Sequence, residues 1–164
     1  MTLFYSNCNI DTPDEFARRA EAARRLAAAD GVPLVEDVYD HAAWLREAAA
    51  GYEDAPEKGA RCARCYRFNL ARTARYARLH GYEAFTTSLS VSPHKPSAAV
   101  FAAGRAVDAE LFFADDFKKR DGFRLSTTRA SALGLYRQSY CGCEFGRKAQ
   151  AKREKDIKEK DQGK

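Results

Sequence analysis

Short apolar runs alternate along this chain with longer segments of helical period. Residues 2–7, "TLFYSN", mix apolar and β-prone residues and predict a short strand. Thr12, Pro13 and Glu15 then supply a cap, a first-turn proline and a capping-box partner. The helix they start runs through "FARRAEAARRLAAAD" and stops at Gly31. Residues 32–39, "VPLVEDVY", predict a second strand, and Asp40 caps a short helix, "HAAWLREAAAG", ending near Gly51. After a polar loop, "RCARCYRFNLARTARYARLHG" predicts a helix of roughly 17–20 residues closed by Gly81. A third strand follows at 82–89, then a loop with two prolines, "SVSPHKPS". An Ala-rich helix, "SAAVFAAGRAVDA", leads to a fourth strand at 110–115. "DFKKRDGFRLSTT" reads as a charged connection, and "RASALGLYRQSYCGCEF" as a short helix running into a cysteine turn.

Four alternations of strand and helix argue for an α/β layer fold with a mostly parallel sheet. A chain of 164 residues can bury the core of one domain. We place that domain at 1–146 and expect 147–164 to be a charged, disordered tail.

Charge and length then exclude some classes. No run of about 18 apolar residues exists, so no membrane span is expected. The start lacks a basic leader followed by an apolar stretch, which points to the cytoplasm. The net charge of +5 arises mainly in the tail, where eight basic residues face four acidic ones. The other residues hold 20 basic and 19 acidic side chains, so the folded body is nearly neutral.

The cysteines carry the candidate chemistry. Cys62 and Cys65 form C-A-R-C, Cys141 and Cys143 form C-G-C, and Cys8 stands alone at a strand end as a buried small hydrophobe. In the cytoplasm, thiols stay reduced, so such pairs point to metal or redox chemistry. C-x-x-C on a helix puts two sulfurs one turn apart, within reach of one metal or cluster. All four paired cysteines can also make a tetrahedral zinc site, although C-x-C is short for a zinc knuckle. A C-x-C pair can instead close to a strained, catalytic disulfide, eased by Gly142. The residues leave open a redox metal centre, zinc and a pure dithiol.

At about 100° per residue, Arg61, Arg64, Arg67, Arg72, Arg75 and Arg78 fall in an arc of roughly 140°. Tyr66, Leu70, Thr73 and Ala77 face the core, and the cysteines sit between. That places a cysteine site beside a basic surface suited to RNA, with Arg61, Arg64 and Arg67 as candidate contacts; a solvated helix face is the plainer reading. "TTSLSVSPHK" brings hydroxyls, His94 and Lys95 past a strand end, where phosphate or ribose can bind. "ADDFKKRDG" offers Asp116 and Lys118, and "LYRQSYCGC" offers Tyr140 beside the second pair. His41 and His80 show no pattern, and Trp44 reads as core.

"FYSNCNIDTPDEFARR", "RCARCYRFNLARTARYA", "FTTSLSVSPHK", "FFADDFKKRDG" and "LYRQSYCGCEF" occur in the order of the motifs of QueH-type epoxyqueuosine reductases, over about residues 2–146. The resemblance implies reduction of epoxyqueuosine to queuosine in the anticodon arm of a tRNA. It implies a fold similar to the adenine nucleotide α-hydrolase (PP-loop-like) sandwich. Cys62 and Cys65 would then ligate a [4Fe–4S] cluster, with an additional iron allowed, and Cys141 and Cys143 would be a redox-active disulfide pair. Asp116, Lys118 and Tyr140 are candidate proton donors, and Lys95 a further RNA contact. The electron donor is not identified. The family also carries a C-C-x-P-C motif after an N-terminal strand, which has no counterpart in this sequence. Since every later motif is intact, a misassigned or truncated start is expected, with the first strand missing. A zinc-stabilised RNA-binding module and an inactive fragment of the reductase are the alternatives.

Overall fold

The computed structural model describes residues 1–162, and Gly163 and Lys164 of the charged tail lie outside it. Strand β1 (Leu3–Tyr5) pairs in parallel with β2 (Leu34–Glu36), with Leu3 opposite Leu34 and Tyr5 opposite Glu36. Helix α1 (Pro13–Ala29) makes the crossover. Its N-terminus forms as expected, with Thr12 Oγ1 accepting from the Glu15 amide at 3.2 Å. The capping box is not completed. The buried Glu15 carboxylate turns instead to Arg19, at 2.7 Å, and to the Tyr136 hydroxyl.

The third and fourth strands shrink to one parallel bridge, Phe85 to Phe112. Local polar groups divert the backbone on both sides. Thr87 Oγ1 accepts from the Leu89 amide and starts a 3₁₀ turn, Ser88–Val91. Asp108 Oδ1 accepts from the amides of Glu110 and Leu111 and turns the chain until Phe112. The expected α/β class therefore holds, with its regular sheet reduced to a two-stranded one among the described residues.

Helix α2 (His41–Trp44) is capped by Asp40, as expected, and continues as a π-helical stretch, Leu45–Ala49. Helix α3 (Ala60–Leu79) packs on α4 (Ser97–Val107). Tyr66, Leu70, Ala74 and Ala77 of α3 meet Val100 and Ala103 of α4 over Phe85 and Phe112. The small residues allow close approach: a Cβ on Gly104 would lie 2.4 Å from the Phe112 ring.

One expectation fails after residue 115. Helix α5 (Gly122–Ala132) occupies much of the segment expected to be a connection. Its Ser126 and Thr127 hydroxyls bond back to the carbonyls three residues earlier, so they do not break it. Helix α6 (Glu144–Gln162) runs through the charged segment as far as it is described. Pairs such as Gln150–Glu154 and Lys155–Glu159 line it, and Arg153 reaches Glu57. No helix among the described residues is long and apolar enough to cross a membrane.

Candidate functional site

The second core cluster is built of sulfur and aromatic rings. Cys8, Trp44, Ala48, Ala49 and Cys143 are buried together, with Cys65, Phe68, Cys141 and Phe145 packed on them. Cys62 lies one turn before Cys65, against the neighbouring α3–α4 core. The structure thus brings Cys65 against Cys141 and Cys143 from distant parts of the chain, with Cys62 one turn away. Cys8 behaves as expected, fully buried with its sulfur 3.5 Å from the Val38 carbonyl.

The C-G-C turn is held from the loop between β1 and α1 and by α1 itself. Asn9 Nδ2 donates to the Cys141 carbonyl at 3.4 Å, and Arg19 donates to the carbonyls of Cys141 and Tyr140 at 3.3 and 3.2 Å. The Asp11 amide donates to the Gly142 carbonyl at 2.9 Å. Tyr140 donates its hydroxyl to Asp11 at 2.8 Å; burial and that bond push the phenol up. Its proton is therefore committed to the turn. Cys143 opens α6, its sulfur accepting from the Gly146 amide at 3.4 Å.

The sulfurs of Cys141 and Cys143 lie 3.6 Å apart and are not bonded covalently. A thiol on Cys143 donating to Cys141 pulls Cys141 down to about 6, against burial and with help from the Lys95 charge. The same bond and burial push the Cys143 thiol up. The pair therefore holds one proton at neutral pH, as a thiolate on Cys141 and a thiol on Cys143. Burial raises Cys65, with the Trp44 indole and Lys95 opposing. In the metal-free chain, alkylation of Cys141 by iodoacetamide should be half-maximal near pH 6, falling below it as the thiolate is protonated. Peptide mapping across a pH series checks this, and an ordinary thiol midpoint near 8.5 would refute it.

Cys62 accepts from the Lys58 amide at 3.3 Å, and Cys65 from Asn69 Nδ2 at 3.6 Å. Both sulfurs are thus supplied with donors suited to thiolates. Trp44 Nε1 and the Tyr66 hydroxyl are buried without a hydrogen-bond partner. The indole lies near enough to favour the Cys65 thiolate without bonding it in strict geometry. Burial and the sulfurs of Cys62, Cys65 and Cys141 push the Tyr66 phenol up. Two unpartnered donors beside paired thiols suit an anionic, sulfur-rich group. Among the described residues, however, no three His, Cys, Asp or Glu side chains converge as a metal site. Cys62 and Cys65 fit two corners of a cluster and no more.

Most of the expected basic face is structural. Arg61 is buried, its Nη1 donating to the carbonyls of Tyr52, Glu53 and Ala55, with its guanidinium 4.2 Å from the Phe145 ring. Arg64 donates to the carbonyls of Ala48 and Glu47 at the end of the π-helical stretch. Arg72 pairs with Asp37, and Arg78 with Asp108 and Glu110. Arg67 and Arg75 are exposed, with no ion pair among the described residues. Helical period gives a side chain's direction but not the carbonyls waiting there.

Asp116 and Lys118 pair with each other at 3.2 Å. Lys118 Nζ also donates to Ser90 O, Lys95 O and Ser97 Oγ, so it clamps the loop that carries Lys95. Lys95 itself stands 5.7 Å from the Tyr66 ring centre, where its charge reaches Cys65 and Cys141. It belongs to the cysteine site. Sequence reading missed Asn9, Arg19, Asn69 and His41. His41 Nδ1 lies 2.8 Å from the Cys8 carbonyl, so that nitrogen donates, and Nε2 lies 3.4 Å from Glu144, next to Cys143. None of these residues stands in a local spacing that carries a chemical signal.

Known proteins resemble this sequence along nearly the whole chain. The family described as epoxyqueuosine reductase QueH matches residues 1–149. A relative of that name from Dehalococcoides mccartyi is 34% identical over 149 residues, covering 88% of this chain and 78% of its own. One from Thermotoga maritima is 33% identical, covering 87% and 77%. One from Streptococcus pyogenes serotype M1 is 32% identical over 92% of this chain, which spans 62% of that relative's length. With the match running through both cysteine pairs and the loop that carries Lys95, the chain belongs to the QueH family.

Proposed function

We propose that this chain is an epoxyqueuosine reductase, converting epoxyqueuosine to queuosine in the anticodon arm of a tRNA. The observation that carries the reading is the packing of Cys65 with Cys141 and Cys143 in one sulfur-rich cluster, with Cys62 one turn away and the Lys95 charge reaching it. Residues 1–146 would act as one domain in the cytoplasm, where thiols stay reduced.

Loss of the epoxide oxygen as water takes two electrons and two protons. Cys141 thiolate and Cys143 thiol can close to a disulfide, releasing two electrons and one proton. The other proton comes from solvent. Lys95 supplies positive charge where the oxygen develops negative charge as its bond to carbon breaks. Tyr140 orders the C-G-C turn through Asp11, and Asp116 and Lys118 hold the Lys95 loop. Arg67 stays free to meet RNA phosphates. Cys62 and Cys65 would hold two corners of a [4Fe–4S] cluster. When bound, such a cluster supplies electrons singly and a Lewis-acidic iron. An external electron donor must return the disulfide to the dithiol.

The test is anaerobic purification, iron and sulfide analysis, then incubation with tRNA bearing epoxyqueuosine and a chemical reductant. Queuosine detected by nucleoside mass spectrometry, from protein holding iron and acid-labile sulfide, is the expected result. Stoichiometric zinc, no colour and no product would replace the reading with a zinc-stabilised RNA-binding module.

A further inference from the structure

Two asparagine side chains join the cysteine pairs. Asn69 lies one turn after Cys65 on α3, and its Nδ2 faces the Cys65 carbonyl at 3.2 Å and the Cys65 sulfur at 3.6 Å. The same nitrogen donates to Asn9 Oδ1 at 3.0 Å. Asn9, 8% exposed, then donates from Nδ2 to the Cys141 carbonyl at 3.4 Å. Only one orientation of the two amides satisfies this chain. Turning Asn69 would set its oxygen against the Cys65 carbonyl and Asn9 Oδ1; turning Asn9 would set its oxygen against the Cys141 carbonyl. The link is therefore directional. It is also tightly packed: a Cβ on Gly142 would lie 3.0 Å from Asn9 Nδ2.

We infer that Asn9 is a positioning residue that ties the C-G-C turn to α3 at Asn69 and Cys65 and sets how readily Cys141 and Cys143 close to a disulfide. This rests on the dithiol role proposed above. Closure must bring sulfurs now 3.6 Å apart to about 2.05 Å, and the backbone of the turn sets how far side-chain rotation has to carry them. Asn9, through the Cys141 carbonyl, holds it in the open arrangement, and Asn69 keeps the Asn9 amide aimed. Weakening the link favours the disulfide. Anchoring to α3 also keeps the electron-donating pair at a fixed distance from Cys65.

The experiment is a redox titration of the full chain in metal-free form against mixtures of oxidised and reduced dithiothreitol. The protein pair gives two electrons and its one proton to the cyclic disulfide, solvent supplies the second proton, and the products are the Cys141–Cys143 disulfide and reduced dithiothreitol. Thiol trapping and peptide mass spectrometry read the ratio. Asn9→Asp keeps the shape but replaces the donor with an oxygen facing the Cys141 carbonyl. It should shift the equilibrium about tenfold toward the disulfide, or ~30 mV. Asn69→Ala adds no charge and suits a helix; it should shift the equilibrium the same way by roughly threefold, about half a hydrogen bond's net worth. Gly104→Ala, which crowds Phe112 away from the turn, should lower Tm and leave the equilibrium unchanged.

A constant that does not move in Asn69→Ala overturns the link, and this variant decides alone if Asn9→Asp does not fold. An equal shift in Gly104→Ala also overturns it, by reducing the effect to general stability. A wild-type chain that never forms the Cys141–Cys143 disulfide overturns the dithiol role instead, so the two failures are distinct.

Discussion

If the proposed dithiol role holds, replacing Cys141 with serine should lower single-turnover conversion of epoxyqueuosine by about 10³-fold or more while leaving unchanged the iron that Cys62 and Cys65 would hold. The size follows from the electron count. A serine oxygen cannot form the disulfide, so the two electrons of the C-G-C pair are lost together, not weakened. The substitution costs the fold little: Cys141 is only half-buried, and the turn is held through the carbonyls of Tyr140, Cys141 and Gly142, which serine retains. Cys143→Ser should match it in activity. Rapid-quench assays with nucleoside mass spectrometry, beside iron analysis on the same samples, give the comparison. A Cys141→Ser protein with at least half of the wild-type conversion would end the dithiol account. Equal loss of iron and activity would instead make Cys141 a ligand.

The second large effect is expected at Gly142. Its φ of 121° lies where side-chain-bearing residues are strained. An added Cβ would also stand 3.0 Å from Asn9 Nδ2 and 3.1 Å from both Arg19 Nη1 and Ile10 Cγ1. Strain and crowding together should cost about 2–4 kcal/mol. For a domain of this size Tm should fall by roughly 5–15 °C, read by thermal denaturation. Reactivity should change with it, because the displaced groups are those that hold the Cys141 carbonyl. A Gly142→Ala protein melting within about 1 °C of wild type would show that the turn can relax at no cost.

Helices α1 and α3 were legible because period and closing glycines agree in them, with the Thr12 cap added in α1, and α4 was legible from its Ala-rich apolar run. The third and fourth strands were not, because hydroxyl and carboxylate side chains took the backbone amides that a ladder needs. The cysteine pairs were legible as chemistry, since residue type and spacing are local. Their meeting was not, because it depends on contacts such as Asn9 to Cys141, 132 residues apart. The same limit explains Arg61. Its place in the arginine arc was correct, but the carbonyls of Tyr52, Glu53 and Ala55 that bury it belong to a loop outside the helix. Lys118 reads in the sequence as a candidate proton donor, yet four acceptors around one ammonium make it a clamp.

The bonds that hold the C-G-C turn have a consequence for the order of folding. Those from Asn9, Asp11 and Arg19 to residues 140 and 141 each span at least 121 positions in the chain. Nothing nearby in sequence can substitute for them. A growing polypeptide can form α1, α3 and α4 from local contacts long before the second cysteine pair is synthesised, and closing so long a loop comes last. The expected order is a scaffold with Cys62 and Cys65 in place while the thiols of Cys141 and Cys143 are still free, followed by a docking step that brings the C-G-C turn to Cys65.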